Sequence, residues 1–230
     1  MVICFPRTYH LFSSKKTDAD DIVLSKEASR SILESEVVIQ EKIDGNCIGF
    51  SFNPEGSPVI QSRRETIDTA VNPFFKKVRE FYNLHQNDIF DICLGRYVLF
   101  GEWAYWRHSV KYDALPSFFM AHDLFDKEEQ RFVSVSVLED KVSGKGIAVN
   151  HPIFRGVVGC VDQLKGLIGE SQFGSKQMEG LYIRRDYGRW NANRYKFVSH
   201  EFLKKVVVHW REKDLVANRS LADVECNWSY

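Results

Sequence analysis

Residues 36–52 read EVVIQEKIDGNCIGFSF, two runs rich in β-branched and aromatic residues on either side of Asp44-Gly45. An Asp-Gly dipeptide between apolar runs predicts a β-hairpin. Lys42 would then lie at the end of the first strand, beside the turn. This stretch therefore favours antiparallel sheet and predicts a lysine held at a strand end.

Further strands and helices are predicted on both sides of this stretch. Asn72 and Pro73 suit a helix start, and apolar residues recur at helical spacing over 72–85, which predicts an amphipathic helix. A second helix is predicted over 200–211. Apolar runs predict strands at 97–105, 117–126, 179–186 and 189–198. Since strands outnumber helices and do not alternate with them, we expect an α+β fold with mainly antiparallel β-sheets and flanking helices.

The composition is that of a globular protein that needs no covalent scaffold. The chain has 230 residues, of which 44% are hydrophobic, and no linker divides it, so we expect a single domain over 1–230. Its five cysteines are scattered without a CxxC pair, so the sequence indicates neither a zinc module nor a disulfide framework. No apolar run reaches the roughly 18 residues of a membrane span, and no signal peptide is evident. The expectation is a monomeric cytoplasmic protein that does not associate with membranes.

The charge is balanced overall but not locally. The 31 basic and 31 acidic residues give a net charge of zero, which argues against nucleic-acid binding through a bulk field. Residues 184–205 hold seven basic and two acidic side chains, a local charge of +5, while acids such as Asp18, Asp20 and Asp21 lie elsewhere. This segment is either a solvated surface or a contact for a few phosphates.

Lys42 is the candidate nucleophile. The tetrapeptide KIDG is a weak signal by itself, because it also suits an ordinary surface turn. A lysine amine attacks phosphorus only when deprotonated, so its pKa of about 10.4 would have to be lowered by desolvation or by nearby cations. A strand end inside a cleft would supply the desolvation. Lys42 would then form a phosphoramidate with a nucleotide.

Side chains at the ends of later strands suit the binding of a nucleotide. The guanidinium of Arg63 can hold a phosphate or ribose oxygen by paired hydrogen bonds. The carboxylate of Glu102 can accept hydrogen bonds from ribose hydroxyls. Phe118 and Phe119 alternate across a strand, so one of the two rings can present a face to a purine.

Charged residues in the last quarter of the chain suit the binding of phosphate and metal. Glu179 offers an oxygen ligand of the kind that Mg²⁺ prefers. Arg194 and Lys196 alternate along a strand, so both cations face one side and can grip one phosphoryl group. Each candidate also fits an ordinary core or surface role. Their joint order along the chain is what indicates a nucleotide site.

In these residues the chain resembles the covalent nucleotidyltransferases, which include ATP-dependent DNA and RNA ligases and mRNA capping enzymes. Residues 42–45 match their motif I, KxDG. Beyond that, the chain is similar to compact proteins of the RNA ligase family. That similarity runs from FPRTYHL (5–11) through GEWAYWRHSVKYDALPSFF (101–119), EGLYIRR (179–185) and RYKFVSHEF (194–202) to His209-Trp210. Stretch 101–119 is more specific to that group than KxDG is to the superfamily. The resemblance implies a ligase-type adenylyltransferase fold.

The resemblance also implies a role for each matched residue. Lys42 would take AMP from ATP, with Arg194 and Lys196 as the basic pair of motif V and Glu179 near the metal and the phosphates. The matched nucleotide-binding positions are Glu41 at the adenine edge, Asp44 and Gly45 in the turn, Arg63, Glu102 on the ribose, and Phe119 stacked on the base. Candidate contacts to RNA ends or phosphates are Arg7, Arg107 and His108. Arg194 departs from the lysine common in the family, so it keeps the charge without the compact ammonium.

The implied activity is ATP-dependent RNA ligation in three steps. AMP would pass from ATP to Lys42, then to a 5′-phosphate end, and a 3′-OH would finally expel AMP and seal the strand. The expected cofactors are ATP and Mg²⁺, with Mn²⁺ as the alternative ion. RNA ends with a 5′-phosphate and a 3′-OH are the expected partners. The sequence leaves open whether an end-processing kinase or phosphatase prepares them.

Two other enzymes and one binding protein remain as alternatives. A DNA nick ligase or a GTP-dependent capping guanylyltransferase usually carries an OB-fold after motif V. Only 34 residues follow Lys196, too few for a five-stranded barrel, so we expect a short helical tail over 199–230 and no OB-fold. The third alternative is a module that binds nucleotides or RNA ends and has no catalytic activity.

Overall fold

The computed structural model describes residues 2–12, 22–199, 202 and 215–222. The predicted helix over 200–211 lies almost entirely outside the described residues, as do Asp18, Asp20, Asp21 and most of the predicted tail. The strands in chain order are β1 (Tyr9–His10), β2 (Glu36–Glu41), β3 (Asn46–Phe52), β4 (Pro58–Gln61), β5 (Tyr97–Trp103), β6 (Phe119–Asp126), β7 (Arg131–Phe132), β8 (Ala148–Val149), β9 (Pro152–Val157), β10 (Gly180–Tyr187) and β11 (Trp190–Val198). The helices are α1 (Lys26–Leu33), α2 (Lys76–Cys93), α3 (Val135–Val142) and α4 (Val161–Gly166), with a 3₁₀ turn at Pro73–Phe75.

These strands form two sheets within the described part of the chain. The first sheet has the order β1-β11-β10-β2-β9, and the second has β4-β3-β5-β6-β7 with β8 paired to β6. All pairings are antiparallel except β1 with β11 and β6 with β8. The fold is therefore α+β with mainly antiparallel sheets, as the sequence predicted.

The predicted hairpin around Asp44-Gly45 is wrong, although both of its strands are present. Strand β2 pairs with β9 and β10 in the first sheet, whereas β3 pairs with β4 and β5 in the second. Neither Asp44 nor Gly45 has the positive φ that a tight two-residue hairpin needs. Residues 42–45 instead cross from one sheet to the other. Lys42 therefore lies at the junction of the two sheets.

Helix α2 confirms the predicted amphipathic helix and extends it. Asn72 caps the preceding 3₁₀ turn, because its Oδ1 accepts a hydrogen bond from the Phe74 backbone N–H at 3.0 Å. The predicted end at His85 coincides with a residue of non-helical backbone (φ −109°, ψ 15°), beyond which the helix continues to Cys93.

Each sheet packs one face on helices. Ile89 and Ile92 of α2 are buried with Ile48 and Leu99 of the second sheet. Another core joins the first sheet to α1 and α4 through Ile32, Leu33, Ile39, Leu164, Leu181 and Ile183. The two remaining inner faces contact each other, as the buried ion pair between Arg184 of β10 and Asp123 of β6 shows. The space between these inner faces holds the candidate site.

The expectations on cysteines and membranes can be compared with the structure only over the residues that it describes. Cys4, Cys47, Cys93 and Cys160 are free thiols, so these four form no disulfide framework. None of the described helices combines the length and the apolar character that crossing a membrane would take. Cytoplasmic location and monomeric state stay predictions.

Candidate active site

A cavity of about 110 Å³ opens between the inner faces of the two sheets. Its lining includes six of the predicted site residues or their neighbours along KIDG: Glu41, Lys42, Ile43, Arg63, Glu102 and Lys196. Five further residues line it that the sequence did not single out as ligands: Phe5, Thr8, His122, Asn150 and Tyr182. The order of motifs along the chain thus corresponds to a real cluster in space.

Lys42 is held by carboxylates. Its Nζ lies 2.7 Å from Glu179 Oε2, and the two side chains are only 24% and 11% exposed. Burial acts to lower the pKa of Lys42, but Glu179, Glu102 and Asp44 outweigh it and the pKa lies above its ordinary value. The sequence interpretation expected a lowered pKa. Lys42 is therefore an ammonium in this state, and a proton must leave before it can attack.

Two carboxyl groups near Lys42, those of Glu179 and Glu102, have raised pKa values. Burial and the charge of Asp44 raise the pKa of Glu179 to about 7, in spite of the nearby Lys42 ammonium. Burial also raises the pKa of Glu102, against the attraction of His122 and Lys42. Glu102 Oε2 is buried and has no hydrogen-bond partner among the described residues. An acceptor without a partner in a cavity suits a ligand that carries hydroxyl donors.

The turn after Lys42 is braced by the stretch around residue 110. Asp44 Oδ2 accepts hydrogen bonds from the backbone N–H groups of Ser109 and Val110 at 2.7 and 3.0 Å. Tyr112 OH lies 2.8 Å from the Asp44 backbone N–H and accepts its hydrogen bond. A Cβ on Gly45 would come within 2.7 Å of the Trp103 carbonyl oxygen, so only glycine fits there. These contacts hold KIDG against the stretch 101–119.

His108 belongs to this brace and not to the cavity lining. Its Nδ1 lies 3.6 Å from Asp44 Oδ1, its Nε2 lies 3.1 Å from Asn46 Oδ1, and the residue is buried. Arg107 is half-buried and donates its backbone N–H to the Val216 carbonyl at 2.8 Å. Arg7 is half-buried beside Thr8 in the segment before β1. The proposed contacts of these three residues with RNA stay predictions.

Phe5 lines one side of the cavity and contacts Arg63, which lines it too. The Phe5 backbone N–H donates to the Arg63 carbonyl at 2.8 Å, and the Arg63 guanidinium lies 6.0 Å from the centre of the Phe5 ring. Phe5 is 5% exposed and packs on Phe100 and His122. Phe5 is the first residue of FPRTYHL, where the family resemblance begins, but the sequence pattern did not indicate a role for its ring.

Arg194 lies behind the cavity lining, where it stabilises the junction of the sheets. Its guanidinium lies 3.5 Å from the centre of the Phe132 ring, and its Nη1 lies 3.4 Å from Asp123 Oδ1. Asp123 also pairs with Arg184 Nη1 at 2.6 Å and accepts a hydrogen bond from Tyr182 OH at 2.6 Å. Lys196, two residues on, does line the cavity. The two cations thus share one face of β11, as the sequence predicted, but only Lys196 lines the cavity, and their joint action on a phosphoryl group stays a prediction.

Phe119 faces away from the cavity. It is fully buried in the core under α2, where it packs on Phe50 and Phe81 with ring centres 5.0 and 5.4 Å apart. It pairs across the sheet with Trp103, whereas Glu102 of the cavity pairs with Met120. Because alternate residues of a strand face opposite sides, Phe119 lies on the wrong face to reach the cavity. The correction is that His122 is the β6 ring that lines it.

Glu41 has most of its acceptors already engaged. Its carboxylate accepts hydrogen bonds from Ser171 Oγ at 2.6 Å and from the Gln172 N–H at 2.9 Å, while burial raises its pKa. Its carbonyl oxygen accepts a hydrogen bond from Asn150 Nδ2 at 2.8 Å. Asn150 gave no signal in the sequence, because nothing near it matches a motif.

Comparisons with known proteins place this fold. A family model described as RNA ligase matches residues 35–206. No curated protein matches the chain. Among solved structures, a variant of the Naegleria gruberi RNA ligase with ATP and Mn has a TM-score of 0.58 at 15% identity, covering 76% of this chain and 52% of that one. A second variant with ATP and Mn gives 0.57 at 15% identity, with 76% and 53% covered. A third, with AMP and Mn, gives 0.56 at 15% identity and the same coverage as the second. The chain thus spans about half the length of these structures, and at this identity the likeness shows the fold.

Proposed function

The chain belongs to the RNA ligase family, and on that premise we propose that it joins RNA ends in an ATP-dependent reaction through AMP bound to Lys42. The observation that carries the proposal is the position of Lys42 at the junction of the two sheets. Glu179 contacts its amine, and Glu102 and Lys196 line the same cavity. A nucleophile, an acceptor for ribose hydroxyls and a phosphate-binding cation are thereby brought together.

The proposed reaction consists of three phosphoryl transfers. Lys42 Nζ loses a proton and attacks the α-phosphorus of ATP, so an N–P bond forms and the bond to the pyrophosphate oxygen breaks. An oxygen of an RNA 5′-phosphate then attacks that phosphorus, and the N–P bond breaks as the lysine regains a proton. Finally the 3′-OH of a second end attacks the 5′-phosphate, loses its proton and expels AMP. In such reactions the protein mainly positions groups and neutralises charge.

Glu179 is the residue that would hold a divalent cation. The described residues contain no group of three or more His, Cys, Asp or Glu side chains that could hold a metal alone. Mg²⁺ usually binds through one or two carboxylates and completes its shell with waters and substrate phosphates. A buried carboxylate beside a nucleotide cavity fits that requirement, for Mg²⁺ or for Mn²⁺. Bound there, the cation would neutralise the carboxylate that stabilises the Lys42 ammonium and so lower the pKa of Lys42.

The test is covalent labelling with ATP radiolabelled on the α-phosphate in the presence of Mg²⁺. The wild-type protein should acquire AMP, and Lys42→Ala should lose more than about 99% of the label, because the nucleophile itself is removed. Lys145→Ala is the matched control, since Lys145 pairs with Asp91 at the surface, away from the cavity lining. A folded wild-type protein that stays unlabelled would refute the proposal.

Labelled protein then decides between the alternatives. Incubation with 5′-phosphorylated RNA or DNA strands, free or nicked in a duplex, should yield joined RNA. Joining of nicked DNA alone would identify a DNA ligase, and preferential labelling by GTP would identify a capping enzyme. Tight ATP binding without an adduct would identify a binding module.

A further inference from the structure

Two buried side-chain amides, Gln40 of β2 and Asn150 between β8 and β9, have carbonyl oxygens without partners among the described residues. Asn150 is 3% exposed and lines the cavity. Gln40 is fully buried and pairs across β2 and β10 with Tyr182, which lines the same cavity. Among the described residues, neither Asn150 Oδ1 nor Gln40 Oε1 has a hydrogen-bond partner. Buried acceptors of this kind are rare unless a ligand or water completes them.

The orientation of the Asn150 amide is fixed by its neighbours. Its Nδ2 donates to the Glu41 carbonyl at 2.8 Å, and since a carbonyl only accepts, the NH₂ group must face Glu41. The Asn150 backbone N–H donates to the Ala121 carbonyl at 2.9 Å, and its own carbonyl accepts from Gln40 Nε2. Asn150 Oδ1 is therefore a buried acceptor of fixed orientation, on a residue that lines the cavity.

We propose that Asn150 Oδ1 accepts a hydrogen bond from the exocyclic amine of adenine and so selects ATP over GTP; this inference rests on the function proposed above. Adenine carries an NH₂ donor at the position where guanine carries a carbonyl oxygen. A guanine in the same pose would place its oxygen against Asn150 Oδ1, so two acceptors would repel each other. Each carboxylate oxygen of Glu41 already accepts one hydrogen bond, whereas Asn150 Oδ1 accepts none among the described residues, which favours Asn150 over Glu41 for this contact.

The experiment measures equilibrium binding of ATP, GTP and purine riboside 5′-triphosphate, which lacks the amine. The wild-type protein should bind ATP about 10- to 100-fold more tightly than either analogue, because each leaves a buried acceptor unpaired. In Asn150→Ala the ratio of ATP to purine riboside triphosphate should fall to about one. If Asn150 had only a structural role, its substitution would weaken the binding of ATP and of purine riboside triphosphate equally, and the ratio of their affinities would not change. His151→Ala is the control, since His151 is exposed and pairs with Glu139.

Several results would overturn the inference. Equal wild-type binding of ATP and purine riboside triphosphate would do so, as would a ratio that survives in Asn150→Ala or no binding of any nucleotide. If Asn150→Ala fails to fold, N6,N6-dimethyl-ATP tests the wild-type protein: weakened binding supports the inference, and binding equal to ATP contradicts it. The same samples are assayed for the Lys42 adduct. A missing adduct with an intact ratio would refute the ligase proposal alone, and an adduct with a ratio of one would refute this inference alone.

Discussion

Lys42 was predictable as a residue, but its ionisation state was not. Its place in KIDG marks it in the sequence, and the structure puts it at a strand end as expected. Of the carboxylates that raise its pKa, Asp44 lies in KIDG itself, whereas Glu102 and Glu179 are brought to Lys42 only by the fold. No local pattern around a lysine can report charges so far along the chain. The same limit applies to Asn150, which becomes a cavity residue only through the pairing of distant strands.

The pKa of Lys42 leads to a prediction about pH. Because the amine must be deprotonated and its pKa is raised, the rate of AMP labelling should increase about tenfold for each pH unit between pH 6 and 9. Raising the Mn²⁺ or Mg²⁺ concentration should move the whole profile to lower pH, since a cation offsets the carboxylates. Initial labelling rates at several pH values and metal concentrations measure both effects. A rate independent of pH over this range would contradict the assignment.

Asp123 of β6 joins the two sheets through ion pairs with Arg184 of β10 and Arg194 of β11. Asp123→Asn would leave the fully buried Arg184 guanidinium without its nearest counter-charge, with only Asp186 Oδ2 remaining at 3.4 Å, which should cost about 3 kcal/mol of unfolding free energy at pH 7. Burial alone would raise the pKa of Asp123, but Arg184 and Arg194 outweigh it and the pKa lies well below its ordinary value. The stabilisation is therefore fully present above the unfolded pKa of 3.8 and is lost progressively as the pH falls from there toward the lower pKa of the folded state.

Urea unfolding at pH 7 and at pH 3 measures both parts of this prediction. The difference between wild type and Asp123→Asn should be large at pH 7 and smaller at pH 3. Asp91→Asn serves as the control, because Asp91 pairs with Lys145 at the exposed end of α2. Equal stability of wild type and Asp123→Asn at pH 7 would show that the pair contributes nothing.

At the scale of elements, the sequence predicted α2 and the six strands β2, β3, β5, β6, β10 and β11, but neither the bounds of the other strands nor the pairing partners. The runs at 36–41 and 46–52 are strands, yet they belong to different sheets. Their hydrophobic pattern is the same in either arrangement, because pairing depends on residues far along the chain. The face of Phe119 was misjudged for a related reason, since alternation shows that two faces differ but not which one meets the cavity.

The brace on residues 42–45 predicts an effect of Tyr112 on catalysis. Tyr112→Phe removes the acceptor for the Asp44 N–H, which should cost about 0.5–1.5 kcal/mol and slow AMP labelling about 2- to 10-fold. The fold should persist, because the ring remains in its buried position. Labelling rates and melting temperatures measure the two quantities. Tyr187→Phe is the control at an exposed site on β10, and equal rates in both variants would exclude a positioning role for Tyr112.

At the scale of the whole molecule, the basic run at 184–205 is less exposed than the sequence suggested. Arg184 is fully buried, and the side chain of Arg194 is only 9% exposed. Lys204 and Lys205 lie outside the described residues. Arg189 is exposed, whereas Arg185 and Lys196 are half-buried. A count of charges along a segment could not distinguish cations that face water from cations that join the two sheets.

Binding of single-stranded RNA should therefore depend only moderately on salt. With about three phosphates contacted, the slope of log K against log salt concentration should be about −2. The slope is measured by fluorescence anisotropy of a labelled 5′-phosphorylated oligonucleotide at salt concentrations from about 50 to about 300 mM. A slope steeper than about −5 would indicate a larger basic surface than the described residues provide.

The parallel pairing of β1 with β11 has a consequence for the order of folding. Phe5 and Lys196 line one cavity although nearly the whole described chain separates them. Closing so long a loop costs more entropy than pairing strands that are close in sequence. Contacts of this kind therefore form late. A nascent chain would build most of its second sheet before this cavity exists. Nucleotide binding would consequently report completion of the entire fold during synthesis or refolding.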